Sequence, residues 1–215
     1  VPDPFATAAV RERVLAAWAA SPARFREDAN AEEDLVRGGY RDRLLVELTQ
    51  NAADAAARAG VPGRLRLELA GGAAGEVLRA ANTGAPLDAA GVDGLATLRA
   101  SAKRDDAGSV GRFGVGFAAV LAVSDEPAIV STTGGVRFSA AGTRAEVTAV
   151  PALADELARR DGGVPVLRLP WPAAGAPPEG FATEVVLPLR AGTRAAVHAA
   201  LTGLTAELLL ALPGL

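Results

Sequence analysis

Three short segments of this chain combine acidic, amide and glycine residues at spacings that can do chemistry. In ELTQNAADA, residues 47–55, offsets of four and seven positions at about 100° per residue put Glu47, Asn51 and Asp54 on one stripe of a helix. A carboxylate and a carboxamide one turn apart can hold a divalent cation and an activated water side by side. A solvated helix face carries the same residue types. In LRAANTGAPLD, residues 78–88, Asn82 ends an apolar strand and Gly84 follows two positions on. There an acceptor side chain can grip a planar ring while glycine lets the backbone come close, although Asn-Thr-Gly is also an everyday turn. In GRFGVGF, residues 111–117, glycines open an apolar helical run, leaving backbone N–H groups for an anion. That spacing alone also fits a dinucleotide fingerprint or a packed helix start. No strand of the right kind directly precedes it, and the chain has no Gly-Lys-Ser/Thr phosphate loop.

Positioning these segments takes both helices and strands. Apolar spacing predicts helices over 6–19 and 22–36, with Ser21 capping and Pro22 in the first helical position. A further helix over 42–59 carries Glu47, Asn51 and Asp54 and stops at Gly60. Then the period changes to two. Leu65, Leu67 and Leu69 alternate with charged residues, and 76–81 reads as the partner strand across Gly71 and Gly72. Residues 82–109 are polar and weakly helical, too long for an idle connection. Further strands are expected at 128–132, 136–140, 145–150, 166–169 and 183–189, a surface loop over 170–180, and a C-terminal helix over 193–211. Helices with hairpin-like strand succession predict an α+β two-layer sandwich with a mixed, mostly antiparallel sheet and helices on one face. A doubly wound parallel sheet is the alternative.

Bulk composition narrows the chemistry. The chain has 215 residues, 50% apolar and 22% charged, enough for one substantial domain spanning 1–215. A net charge of −3 gives no electrostatic reason to expect nucleic acid. Without cysteine there are no disulfides or thiolate sites, and the single histidine, His198, sits in an alanine-rich helical stretch and reads as a surface or partly buried position. No apolar run reaches membrane-spanning length and no secretory signal is visible, so a cytoplasmic location is expected. The alanine, arginine and glycine excess suggests a GC-rich bacterial genome. The lack of methionine suggests a trimmed chain, the N-terminal fragment of a longer protein.

Taken together, the three segments occur in the order of a Bergerat-type ATP site, and the sequence resembles the GHKL superfamily of gyrase, ninety-kilodalton heat-shock chaperones, histidine kinases and MutL. Residues 47–55 match the pattern E-x-x-x-N-A-x-D-A and look most like sacsin and its bacterial relatives. Residues 111–117 are similar to the chaperones' second glycine box, and 95–101 to the start of their ATP lid. Thr183 falls where those proteins place a threonine beside adenine.

The resemblance implies ATP or ADP with Mg²⁺. Glu47 would be the general base, Asn51 the magnesium ligand, and Asp54 its support. Asn82 would accept from the adenine amino group, with Gly84 against the ring. Gly111, Arg112, Phe113, Gly114, Val115, Gly116 and Phe117 would cradle the phosphates, and Lys103 would contact them from a mobile lid over 94–110. The chaperones' own lid lysine aligns with Ala100. Asn82 departs from the usual aspartate: it keeps an acceptor oxygen but loses a charged hydrogen bond. The implied activity is slow ATP hydrolysis, accelerated by a cation from a following domain, in a chaperone-like module. Protein clients, a downstream domain and nucleotide-dependent dimerisation are the expected partners. The alternative is an interaction module that binds ATP without useful turnover.

Overall fold

A computed structural model describes residues 1–37, 43–72, 75–97, 116–210, 212, 214 and 215. Helices α1 (Thr7–Ala20) and α2 (Pro22–Arg37) form the N-terminal flank. Trp18 meets Phe25 edge-on at 5.2 Å, and both pack with Val147, Leu153 and Leu169 in a small second core. Helix α3 (Leu44–Ala59) buries Leu44, Leu48, Ala52 and Ala55, a stripe at turn spacing facing the sheet. It stops at Gly60, whose φ of 64° and the reversed bonds Gly60 N to Ala57 O and Val61 N to Ala56 O form a Schellman end.

Six strands follow: β1 (Leu65–Gly72), β2 (Gly75–Asn82), β3 (Ala128–Ser131), β4 (Gly134–Arg137), β5 (Trp171–Pro172) and β6 (Thr183–Pro188). Their order is β1-β2-β6-β3-β4-β5, and every pairing among the described residues is antiparallel, where a mixed but mostly antiparallel sheet was expected. The fold is thus α+β, with helices packed against an antiparallel sheet. The remaining helices are α4 (Ala89–Thr97), α5 (Ala140–Thr148), α6 (Ala154–Arg159), α7 (Arg194–Thr202) and α8 (Glu207–Leu210).

Register fixes what the core face carries. Leu78 pairs with Leu187, Ala80 with Val185, and Val185 with Ile129, so these side chains line one face. Leu78 and Leu187 are fully buried there, each contributing roughly 1.5–3 kcal/mol. α3, α4, a 3₁₀ turn at Phe117–Ala122 and α7 cover that face.

Three expected elements differ. Residues 145–150 lie in and beyond α5, not in a strand. Ser139 caps that helix by accepting from Gly142 N at 2.9 Å, and the buried residues Thr143 and Val147 stand one turn apart. Residues 166–169 form a 3₁₀ turn because the buried carboxylate of Glu32 takes the N–H groups of Val166 (2.6 Å) and Leu167 (3.1 Å) that a strand would have offered a neighbour. The C-terminal helix is broken after Thr202 by Gly203, a poor helix former. The expected loop over 170–180 begins with the short strand β5. No helix among the described residues is long and apolar enough to cross a membrane.

Candidate functional site

One end of the sheet's core face turns polar. Continuing the rows Leu78–Leu187 and Ala80–Val185–Ile129, the next row is Asn82–Thr183–Ser131, contributed by β2, β6 and β3. Strand alternation therefore carries an apolar floor directly into a polar end. Above this end opens a cleft. Asn51, Ala55 and Arg58 of α3 line one side, and Asn82, Thr183, Ile129 and Val185 form the floor. Phe117 and the 85–88 segment complete it.

The polar row is held in a defined arrangement. Asn82 is 9% exposed, and its Nδ2 donates to Thr83 O at 2.9 Å. Because that carbonyl only accepts, the amide's orientation is fixed, and Oδ1 remains the acceptor. Ser131 Oγ lies 3.0 Å from Thr183 Oγ1, 2.8 Å from Ala182 O and 3.0 Å from Leu87 N. Thr133 Oγ1 donates to Leu87 O at 2.6 Å, so both backbone groups of Leu87 are bound to side chains and the 85–88 segment is strapped across the floor. Asp88 then caps α4, accepting from Gly91 N at 2.7 Å.

Gly84 packs against α3. Its φ is 112°, and a Cβ there would run into the backbone of Ala55 and Ala56, while Ala85 N donates to Ala55 O at 2.8 Å. It joins the end of β2 to α3, and the cleft wall begins at Ala85. Glu47 lies one turn before Asn51, half-buried, and its carboxylate rests against Gly116, where a Cβ would collide with Oε2. The α3 stripe thus runs from the 116–117 corner past Asn51 to the floor. Asp54 is exposed and does not line the cleft. His198 is exposed on α7.

Lys103, Gly111, Arg112, Phe113, Gly114 and Val115, with most of the expected lid, lie outside the described residues. Of the expected site residues, Asn51, Asn82, Phe117 and Thr183 share the cleft, and Glu47 and Gly116 meet beside it. Sequence reasoning missed Ser131, Arg58 and Asp88. Alternation in 128–131 puts Ile129 and Ser131 on one face, a usable signal, but only the pairing Ser131↔Thr183 brings them to the site.

Among the described residues no group of three or more histidine, cysteine or acidic side chains could hold a metal alone. Compared with protein-family models and with curated proteins, the sequence matches none.

Proposed function

We propose that this chain is the nucleotide-binding domain of a GHKL-type ATPase, binding ATP or ADP with Mg²⁺ and hydrolysing ATP slowly. One observation carries the reading: the α3 stripe, the polar row Asn82–Thr183 and the Gly116–Phe117 corner, three segments distant in sequence, converge on a single cleft. The acceptors Asn82 Oδ1 and Thr183 Oγ1 receive the base, and Ile129, Val185 and Phe117 give it an apolar bed. Asn51 holds magnesium, which when bound offsets phosphate charge. Glu47 draws the proton from the attacking water. Its place against Gly116 keeps the carboxylate at the phosphate end, away from the base floor. As the resemblance implies, the chain alone is a slow enzyme and a cation from a following domain speeds it.

Calorimetry with Mg-ADP and a non-hydrolysable ATP analogue, paired with turnover, tests this. Glu47→Ala should keep nucleotide affinity within a few-fold and lower hydrolysis by about 10²–10⁴, since a base acts in the transition state. Asn51→Ala should lose the magnesium-dependent part of binding. No heat with either nucleotide at millimolar concentration would sink the proposal. Binding without turnover, insensitive to Glu47, would leave the interaction-module reading in its place.

A further inference from the structure

We infer that Ser131 is a positioning residue that fixes the proton of Thr183 and so makes the cleft floor select an amino group over a carbonyl; this rests on the nucleotide reading above. The hydrogens and lone pairs around Ser131 allow one assignment. A serine hydroxyl has one hydrogen and two lone pairs. Ser131, 3% exposed, has three neighbours within hydrogen-bond distance: Leu87 N at 3.0 Å, Ala182 O at 2.8 Å and Thr183 Oγ1 at 3.0 Å. Leu87 N–H can only donate, which uses one lone pair. Ala182 O can only accept, which uses the hydrogen; it also takes Thr132 N at 3.0 Å, and a carbonyl has room for both. The remaining lone pair of Ser131 must then receive the hydrogen of Thr183. The opposite assignment would leave two oxygens 2.8 Å apart with no hydrogen between them.

Thr183 is consequently a donor inward, and its free lone pairs belong to the cleft it lines. Its cross-strand partner Asn82 is fixed in the same sense, with Nδ2 held by Thr83 O and Oδ1 left over. Two adjacent acceptors with protein-determined protons therefore face the ligand. An amino group brings two N–H bonds, one for each oxygen. A carbonyl in its place meets lone pairs on both Asn82 Oδ1 and Thr183 Oγ1, and Thr183 cannot turn its proton toward it without breaking the bond to Ser131. Ser131 touches no ligand in this scheme; it acts through Thr183.

The experiment compares ADP with IDP, in which an oxo group replaces the amino group and the neighbouring ring nitrogen carries a hydrogen in place of a lone pair, by calorimetry in the presence of magnesium. The intact chain should prefer ADP. In Ser131→Ala the Thr183 hydroxyl is free to turn outward, so the preference should fall about five- to tenfold, and it should fall because IDP binds more tightly. A merely structural role predicts the reverse: both nucleotides weaken together with their ratio unchanged. Thr183→Val, which removes the Thr183 acceptor itself and leaves the other two bonds of Ser131 intact, should lower the ratio by weakening ADP, and it serves if Ser131→Ala does not fold. Thr183→Ser should retain the ratio. An ADP preference untouched by a folded Ser131→Ala, or by Thr183→Val, would overturn the inference and leave the nucleotide reading standing. Failure of the intact chain to bind either nucleotide would overturn both.

Discussion

The helical flank and the open end of the sheet both bury polar side chains, but their hydrogen-bonding capacity ends in different places. In the flank, Glu32 accepts from Val166 N and Leu167 N, and Arg168 Nη2 lies 3.3 Å from its Oε1. Arg168 Nη1 donates to Leu95 O at 3.0 Å, and Asp28 accepts from Trp18 Nε1 at 2.8 Å. Arg168 and Glu32, 1% and 3% exposed, are held as an ion pair beside Asp28, while Arg168 Nε and Nη2 make no hydrogen bond. At the sheet end nothing among the described residues donates to Asn82 Oδ1, and Thr183 keeps lone pairs beyond its bond to Ser131. The contrast separates scaffold from site: in the flank the leftover donors of Arg168 are enclosed with the carboxylates of Asp28 and Glu32, whereas at the sheet end the leftover acceptors line an open cleft and are free to meet a ligand.

The largest effect should come from opening the closed cluster. Arg168→Met removes the cation between Asp28 and Glu32 and the bond that pins α4 to the 166–168 turn. Breaking a buried pair by removing one partner costs about 3–5 kcal/mol, readable in urea unfolding. Adding Glu32→Gln removes the stranded charge and should recover part of that loss. The ADP-to-IDP preference, where the variant remains folded, should not move. A changed preference without lost stability would mean that the cluster is part of the site and that the two regions are not separable.

Glycines sharpen the same contrast at the junction between helix and sheet. Gly84 and Gly60 both have positive φ, 112° and 64°, yet a Cβ on Gly60 meets nothing within 4 Å while one on Gly84 meets the Ala55–Ala56 backbone. Gly60→Ala should therefore cost about 1 kcal/mol, the conformational penalty alone. Gly84→Ala should cost about 2–3 kcal/mol and also weaken nucleotide binding, because β2 and α3 must part to admit the methyl group. Equal costs measured by thermal unfolding would remove the argument that this corner is built by close backbone approach.

Much of the site could be read from the sequence because its parts are local. Glu47 and Asn51 share a helix stripe by spacing alone, and Asn82 ends a strand whose alternation is plain. What the sequence did not disclose depends on register between distant strands. Ser131 reaches Thr183 only because β3 pairs with β6 as it does, and Leu87 becomes a strap only when Ser131 and Thr133 lie above it. The two misread strands have the same cause. The run at 145–150 alternates, but the Ser139 cap decides for helix. The run at 166–169 is apolar enough for a strand, but Glu32, far away in sequence, takes its N–H groups.

The smallest effect expected is a slope, and it again separates flank from cleft. Burial pushes the Glu32 carboxyl up from 4.5 to about 7, against the pull of Arg168 and the two backbone N–H groups and with a further push from Asp28. Between those two values the unfolded chain has released this proton and the folded chain still holds it. The unfolded state therefore binds fewer protons, and stability falls as pH rises through this window, by at most about 1.4 kcal/mol per pH unit from this one group. Below 4.5 the contribution is fully present; above about 7 it is lost. Urea unfolding at half-unit steps from pH 4.5 to 7.5 should show the decline, and Glu32→Gln, which cannot ionise, should flatten it even though the variant loses one of the two acceptor oxygens that hold Val166 and Leu167. The selectivity of the cleft has no such titrating group in its polar row, since Asn82, Thr183 and Ser131 are all neutral. The ADP-to-IDP ratio should stay level across the same range. A ratio that tracked the stability curve would tie the two regions together through the Arg168–Leu95 bond, and a slope that survived Glu32→Gln would move the titration to another residue.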